Sequence, residues 1–266
     1  MIHLLKKQED KRIFKVYALS DKGKVYSHNE DNLYLAGKTK KSKISVGAKV
    51  YEYNRRQILF AVSDGIGGGA CGELASLLCV EGMKKCEKEL LNTGKGKIEE
   101  AITELCRKLN RDICGHEDFS EDTGATLALL LFSHGDFYAA NVGDSRIYRY
   151  SNGFLHRLSK DHTRQQQMID MGIIDGKDEK RQYNHLLQCL GMPENEILIE
   201  PHIEVVEYHA KDCYLLCSDG LTDMVSEKEI EKTFQTEPRE NCVSCLYQKA
   251  MNAGGKDNIT IIRVDV

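Results

Sequence analysis

Nine short runs of branched and aromatic residues are spread over almost the whole chain, and they limit the fold more than any other feature. Runs of this length, bounded by turn residues, predict β-strands. Several are separated by only a few residues, as at Ser133–Asp136, which favours antiparallel hairpins over parallel crossovers. The predicted strands are Ile13–Leu19, Asn32–Ala36, Ile58–Ser63, Thr126–Phe132, Phe137–Val142, Ser145–Tyr150, Ile203–Tyr208, Cys213–Ser218 and Ile259–Val264.

Four longer segments carry the spacing of amphipathic helices. Ser226 and Glu229 have the spacing of a capping box, which marks a helix start. The helices come in pairs between groups of strands, without strict βαβ alternation, so we predict an α+β fold on antiparallel sheets rather than a doubly wound parallel sheet. The predicted helices are Leu74–Leu91, a stripe from Ile98 to Ile113, a segment that begins at Ser226, and a segment from about Arg239 to Ala253.

The composition is that of an ordinary globular protein, and its length allows one large domain or two small ones. The 266 residues carry a formal net charge of −4, which argues against generic nucleic-acid binding. The longest apolar run, Leu127–Phe132, is far shorter than the roughly 20 residues of a membrane span. The charged N-terminus lacks the apolar stretch of a signal peptide. We therefore expect a cytoplasmic monomer with neither a membrane nor a nucleic-acid partner.

Ten cysteines raise the question of disulfides or zinc. The single C-x-x-C pair, Cys242 and Cys245, has no second pair at zinc-ribbon spacing. Cys79, Cys86 and Cys106 lie in apolar-periodic helical patterns, where cysteine behaves as a small hydrophobe. We expect reduced thiols with structural or incidental roles.

Positive charge is concentrated at the start of the chain. Residues 1–60 hold 14 Lys and Arg against 6 Asp and Glu. Such a basic edge is either ordinary solvated surface or a source of charge for a binding site. Part of it, Gly37–Asn54, is Lys-rich and weakly patterned, and we interpret it as a loop-like surface insertion. Gly172–His185 is polar and loop-like in the same way.

Acidic residues recur at the ends of predicted strands. Two apolar runs stop at an Asp-Gly pair, Asp64-Gly65 and Asp219-Gly220, while Asp257 and the pair Glu30-Asp31 stand just before strands. A single Asp-Gly is most often just a turn. Four acidic sites that converge would repel one another unless a cation lay among them, and oxygen ligands suit Mg²⁺ or Mn²⁺ better than zinc. Two such ions activate water for in-line attack on phosphorus, so we hypothesise metal-assisted phosphate-ester hydrolysis.

Seven motifs, in order and spacing, resemble the metal-dependent Ser/Thr protein phosphatases of the PPM (type 2C) family. The match runs from about Phe14 to Val264, and it is most similar to compact bacterial members. The resemblance implies a four-layer αββα sandwich with two central antiparallel β-sheets flanked by helices, in one domain over residues 1–266. The motifs are Asn29-Glu30-Asp31, Val62-Ser63-Asp64-Gly65-Ile66-Gly67-Gly68, Thr123-Gly124-Ala125-Thr126, Asn141-Val142-Gly143-Asp144-Ser145-Arg146, Leu158-Ser159-Lys160-Asp161-His162, Cys217-Ser218-Asp219-Gly220-Leu221 and Lys256-Asp257-Asn258-Ile259-Thr260.

The resemblance also implies how the catalytic centre is built. Asp64 would bridge two Mn²⁺ or Mg²⁺ ions, and the Gly65 carbonyl would bind one of them. Asp219 and Asp257 would complete the coordination of the other ion. The reaction implied is in-line attack of a metal-bridged hydroxide on phosphoserine or phosphothreonine, with no covalent phosphoenzyme.

Further positions would support this centre. Glu30 and Asp31 would act mostly through bound waters, and Asp144 with Asp219 matches the place of a third, weaker ion. A flap over about 163–187 would lie beside the site, and the basic insertion would cover about 37–54. For Thr126, Asn258 and Ser145-Arg146 a structural role is at least as good an interpretation as a catalytic one.

Two departures from the family pattern affect the substrate phosphate and the leaving group. Ile66 stands where many eukaryotic members have a His, so water would protonate the leaving alkoxide. Tyr26 stands where members usually have a phosphate-binding Arg, and a Tyr hydroxyl brings neither charge nor a bidentate fork. Either Lys24 or Arg55 replaces this cation, or no residue does and phosphate binding is weak.

The resemblance therefore implies a protein-serine/threonine phosphatase that acts on phosphorylated proteins, including targets of a Ser/Thr kinase. The alternative from another functional class is a pseudophosphatase that binds phosphoproteins without turnover, and Tyr26 is its only support. A specialised phosphatase for one regulatory partner is a third interpretation.

Overall fold

The computed structural model describes residues 11–40, 46–67, 70–118, 123–175 and 185–266. Within these ranges the chain forms two six-stranded sheets and a two-stranded ribbon. In chain order the strands are β1 (Arg12–Asp21), β2 (Asn32–Leu35), β3 (Lys38–Thr39), β4 (Val46–Arg55), β5 (Ile58–Ser63), β6 (Gly65–Ile66), β7 (Gly124–Ala125), β8 (Leu127–Ser133), β9 (Asp136–Val142), β10 (Arg146–Ser151), β11 (Phe154–Arg157), β12 (His202–Glu207), β13 (Cys213–Cys217) and β14 (Ile259–Asp265).

The helices flank the sheets as predicted. Ser226 begins one of them: its side chain accepts a hydrogen bond from the backbone N–H of Glu229, as the capping-box spacing indicates. A single 3₁₀ turn, Lys95–Lys97, precedes the second helix. The α-helices are α1 (Ala70–Leu91), α2 (Ile98–Cys114), α3 (Arg164–Asp170), α4 (Asp219–Thr222), α5 (Glu227–Thr236) and α6 (Arg239–Asn252).

Both large sheets are antiparallel throughout, which confirms the predicted fold class. Sheet A has the order β11-β10-β13-β14-β1-β4, and sheet B has the order β12-β9-β8-β5-β2-β3. The ribbon joins β6 to β7. One apolar core lies between the sheets, a second between sheet B and helices α1 and α2, and a third between sheet A and helices α4 to α6. The layers are therefore helix, sheet, sheet, helix.

Strand β8 shows why the central strands are largely apolar. Successive side chains of a strand point to opposite faces. Leu127, Leu129 and Leu131 belong to the core under α1 and α2, whereas Leu130 and Phe132 belong to the core between the sheets. Because both faces are covered, all seven residues of β8 are buried.

The loop-like interpretation of 37–54 is wrong for much of that segment. Residues 46–55 form β4, which pairs with β1 as the edge strand of sheet A. Tyr51 and Tyr53 turn inward, while Val50 and Asn54 are exposed. An edge strand is held mainly by main-chain hydrogen bonds to one neighbour, so its sequence carries little apolar alternation. Residues 41–45 of the insertion lie outside the described residues.

The predicted flap is described only in part. Helix α3 begins after the N-cap Thr163, whose side chain accepts from the backbone N–H of Gln166, and no residue of this helix is buried. Residues 176–184 lie outside the described residues. All ten cysteines fall within the described ranges and are free thiols. Across those same ranges no helix is long and apolar enough to cross a membrane.

Candidate active site

The predicted acidic residues meet at one end of the two sheets. Asp64 follows β5, Asp144 follows β9 and Asp219 follows β13, while Glu30 and Asp257 shortly precede β2 and β14. Antiparallel neighbours end and begin at the same edge, so these chain positions come together. They line a cleft of about 310 Å³. Its lining residues are Tyr26, Glu30, Asp64, Gly65, Ile66, Gly67, Thr126, Asp144, Leu186, Asp219, Asp257 and Asn258.

Thr126 holds the main chain of Asp64. The backbone N–H of Asp64 donates to Thr126 Oγ1 at 3.0 Å, and the backbone N–H of Thr126 donates to the Asp64 carbonyl at 2.8 Å. Thr126 Oγ1 lies 2.7 Å from Ser145 Oγ. Thr126 therefore orients Asp64 from both sides, as the structural interpretation of this residue expects.

Glu30 is held between a loop and helix α1. Its backbone N–H donates to Asn258 Oδ1 at 2.6 Å, and the Asn258 amide donates to the carbonyls of Lys22 and His28. A Cβ at Gly72 would lie 2.0 Å from Glu30 Oε2, and a Cβ at Gly65 would lie 2.0 Å from the Gly72 carbonyl. Glycine at both positions therefore allows α1 to approach the acidic residues closely.

Asp31 lies beneath the cleft rather than on its wall. It is fully buried, and its Oδ2 accepts a 2.7 Å hydrogen bond from Ser218 Oγ. Its other carboxylate oxygen, Oδ1, has no hydrogen-bond partner among the described residues, and the same is true of Asp219 Oδ1. A buried carboxylate oxygen without a partner is costly unless a cation balances it.

The carboxyl groups also raise one another's pKa. Burial is the main cause for Asp64 and Asp219, and the neighbouring aspartates add to it, so both pKa values lie well above the ordinary range. Burial followed by Asp161 raises the pKa of Asp144 to about 7, and burial raises that of Asp257 to about 6. The cleft therefore gathers more negative charge than its own residues neutralise.

Divalent cations fit this donor set. The donors are carboxylate oxygens, and two of them are buried without a partner in the part of the chain that the structure describes. Hard cations such as Mg²⁺ and Mn²⁺ prefer such ligands. Within the described ranges no three Asp, Glu, His or Cys side chains form a closed ligand group around one point. Magnesium sites often use one or two carboxylates and retain several waters, which suits carboxylates spread around a cleft.

Comparison with known proteins shows the family of this chain. Residues 48–252 match the family described as Protein phosphatase 2C. This chain belongs to that family. It is 31% identical over 254 residues to the serine/threonine phosphatase stp of Listeria monocytogenes, an alignment covering 92% of this chain and 93% of the relative. PstP of Mycobacterium tuberculosis is 30% identical over 96% of the chain, which spans 45% of PstP.

Solved structures of phosphatases share the fold. A serine/threonine phosphatase of S. agalactiae superimposes with a TM-score of 0.80 at 25% identity, covering 95% of this chain and 99% of that one. The catalytic domain of PstP in complex with two manganese ions gives a TM-score of 0.71 at 30% identity, covering 96% and 99%. The predicted PPM family, sandwich fold and protein serine/threonine phosphatase activity are thereby confirmed, and the relatives give no support to the pseudophosphatase alternative.

The three predicted phosphate-binding residues of this phosphatase 2C chain lie in different places. Tyr26 lines the cleft and is 44% exposed. Lys24 lies on a turn at residues 23–25 and not on an extended strand. The Lys24 ammonium donates at 2.6 Å to the carbonyl of Met251, at the end of α6.

Arg55 does not reach the cleft. It pairs with Arg12 at one end of β1, whereas the cleft lies beyond the other end, near Asp21 and its partner Ile259. Nine residue steps along an antiparallel strand span about 30 Å. The hypothesis that Arg55 binds the substrate phosphate is therefore wrong, because the insertion forms an edge strand that carries Arg55 to the far end of sheet A.

Sequence reasoning missed Lys40 and Gly72. Lys40 is buried behind the acidic residues, and its ammonium donates to the carbonyls of Asn29 and Asp31. Burial lowers the pKa of Lys40, and the charges of Asp31 and Glu73 act against that shift. In the sequence Lys40 is one lysine among several in a Lys-rich segment, and no local signal distinguishes it. Gly72 stands in the first turn of a helix, where a glycine that breaks the helical pattern suggests close packing.

Proposed function

We propose that this chain hydrolyses phosphoserine and phosphothreonine in proteins with Mn²⁺ or Mg²⁺ bound in the acidic cleft. The observation that carries the proposal is the convergence of Glu30, Asp64, Asp144, Asp219 and Asp257 on one cleft. The buried carboxylate oxygens that have no hydrogen-bond partner within the described ranges support cation binding there. The two manganese ions of PstP support the choice of metal.

Different residues of the chain would bind the metal ions and the substrate. Asp64, Asp219 and Asp257 would hold two ions together with the Gly65 carbonyl, and Asp144 would serve a third. When bound, divalent ions acidify a water and offset the charge of the phosphate. Glu30 and Asp31 would orient the waters that complete the coordination. Ile66 has no proton to give, so water would protonate the leaving alkoxide.

Tyr26 and Lys24 are the proposed contacts for the substrate phosphate. The Tyr26 hydroxyl can donate one hydrogen bond to a phosphate oxygen. The Lys24 ammonium would have to leave the Met251 carbonyl to reach the cleft, and its exposed position permits such a rotation. If Lys24 assists, Lys24→Ala raises KM for a phosphopeptide, whereas the exposed Lys15→Ala on β1 leaves it unchanged. An unchanged KM in Lys24→Ala would mean that Lys24 does not replace the missing Arg.

The substrates proposed are phosphoproteins, including targets of a Ser/Thr kinase. The proposed enzyme is a cytoplasmic monomer with one domain over residues 1–266. The test compares hydrolysis of phosphoserine, phosphothreonine and phosphotyrosine peptides in Mn²⁺, in Mg²⁺ and in EDTA. We expect metal-dependent release of phosphate from the first two peptides. Phosphopeptide binding without turnover in either metal would instead favour a pseudophosphatase.

Variants connect that activity to the cleft. Asp64→Asn and Asp219→Asn should lower kcat at least a thousandfold while circular dichroism shows an intact fold, because each removes charge that holds an ion. The matched control is Asp112→Asn, an exposed residue of α2. Retained activity in both cleft variants would refute the proposed site.

A further inference from the structure

Lys40 is a buried cation that contacts the acidic segment from behind. Only 5% of the residue is exposed. Its Nζ donates to the carbonyl of Asn29 at 2.9 Å and, through a shorter hydrogen bond, to the carbonyl of Asp31. The backbone N–H of Lys40 donates to Asn32 Oδ1 at 3.3 Å. The Lys40 side chain therefore forms hydrogen bonds with the main chain on both sides of Glu30.

The position of Lys40 is itself supported. Thr39 Oγ1 donates to Glu81 Oε1 on α1 at 2.7 Å, and β3 pairs with β2. The charges of Asp31 and Glu73 act on the ammonium from the acidic segment and from the first turn of α1. Lysine is almost never fully buried unless it is paired, because its charge loses the solvation of water. An apolar residue would fill the same space without that cost, so packing alone gives no reason for a lysine.

We propose that Lys40 is a positioning residue that sets the conformation of Asn29-Glu30-Asp31 for metal binding and balances charge at the back of the cleft. The inference rests on the proposed function, since it assumes that Glu30 and Asp31 serve divalent ions. Asp31, Glu30, Asp64, Asp219 and Asp257 exceed the charge of two divalent ions by one negative charge. Lys40 balances that charge from a position where it cannot touch the substrate.

This role separates Lys40 from a phosphate-binding cation. The Lys40 ammonium donates hydrogen bonds to two carbonyls beneath the cleft, whereas Tyr26 lines the cleft itself. Loss of Lys40 should therefore weaken metal binding and lower kcat at saturating phosphopeptide while leaving KM unchanged. A purely structural lysine would lower thermal stability alone.

The experiment measures Mn²⁺ binding to the metal-free full chain by isothermal titration calorimetry, without substrate. Lys40→Met keeps the length and removes the charge and the donors. We expect it to raise the Kd for Mn²⁺ at least tenfold, which is the effect typical of removing the hydrogen-bond partners of metal ligands. Lys40→Gln keeps an amide donor without charge, and its Kd for Mn²⁺ should lie between those of Lys40→Met and the wild type. Lys49→Met, an exposed lysine of β4, is the matched control and should bind like wild type.

The outcomes are separable. A Kd within twofold of wild type in Lys40→Met, or in Lys40→Gln if only that variant folds, overturns the positioning role and leaves the proposed function intact. A raised KM for the phosphopeptide with an unchanged Kd for Mn²⁺ also overturns the positioning role. Failure of the wild-type chain to bind Mn²⁺ overturns the proposed function and this inference together.

Discussion

The side-chain oxygen of Asn258 accepts a hydrogen bond of 2.6 Å from the backbone N–H of Glu30, although 228 positions separate the two residues. The amide nitrogen of Asn258 donates to two further carbonyls, of Lys22 and His28. One side chain thus ties the loop before β2 to the segment that carries Asp257. The acidic residues of both segments depend on this connection for their relative position.

Replacing Asn258 by Ala should destabilise the fold and impair the cleft. Three hydrogen bonds are lost at about 1 kcal/mol each, so the free energy of unfolding should fall by roughly 2–3 kcal/mol in urea titrations. Because Glu30 loses its anchor, kcat should fall as well. Asn241→Ala, at an exposed position of α6, is the control and should change neither quantity. Wild-type stability and kcat in Asn258→Ala would contradict the anchoring role.

The metal-free protein should become less stable as the pH rises from 5 to 8. The pKa of Asp144 is about 7 and that of Asp257 about 6 in the fold, above the roughly 3.9 of an unfolded Asp. A carboxyl with a raised pKa favours the folded state when protonated, and that contribution is lost as the pH passes through the folded pKa. Burial lowers the pKa of His162 to about 4. Below pH 6.5 this residue therefore makes the fold more stable as the pH rises, against the effect of the aspartates.

Thermal unfolding in EDTA across this pH range tests the expectation. We expect a fall in the melting temperature that Mn²⁺ removes, because the cation replaces the proton as the balancing charge. Asp144→Asn should reduce the fall near pH 7. A melting temperature that rises between pH 6.5 and 8 in EDTA would be inconsistent with a repulsive cleft.

Gly72→Ala should displace the Glu30 carboxylate. The added Cβ would stand 2.0 Å from Glu30 Oε2, while alanine itself is favourable in a helix. We expect a rise of about tenfold in the Kd for Mn²⁺ with little loss of helix content. The control is Gly94→Ala, where a Cβ meets nothing within 4 Å among the described residues and φ is −69°. Unchanged Mn²⁺ binding in Gly72→Ala would show that Glu30 does not contribute.

Tyr26→Arg should strengthen phosphate binding. Tyr26 lines the cleft and brings no charge, whereas a guanidinium offers a charge-assisted, bidentate contact to a phosphate. One such contact is worth about 1.4 kcal/mol or more, so KM for a phosphopeptide should fall about tenfold. Tyr26→Phe removes only the hydroxyl and should raise KM slightly. An equal or higher KM in Tyr26→Arg would show that the cleft does not present this position to the phosphate.

Several elements could be predicted because their signals are local. Strands β5, β8 and β13 are buried on both faces and therefore read as near-continuous apolar runs. Helix α2 places its apolar residues on one face, and the Ser226 cap marks the start of α5. In contrast β4 is an edge strand with mostly exposed side chains, so its partner β1 determines its structure more than its own residues do.

Local sequence patterns predicted the antiparallel sheets and the acidic positions at strand ends, because side-chain alternation, caps and Asp-Gly turns act over a few neighbouring residues, whereas the sandwich followed from the family resemblance. The tertiary structure determines which charges meet. It carries Arg55 to the far end of sheet A, turns Lys24 toward the Met251 carbonyl and buries Lys40 behind Asp31. Strand register and layer packing fix these distances, and they depend on pairings between segments far apart in the chain.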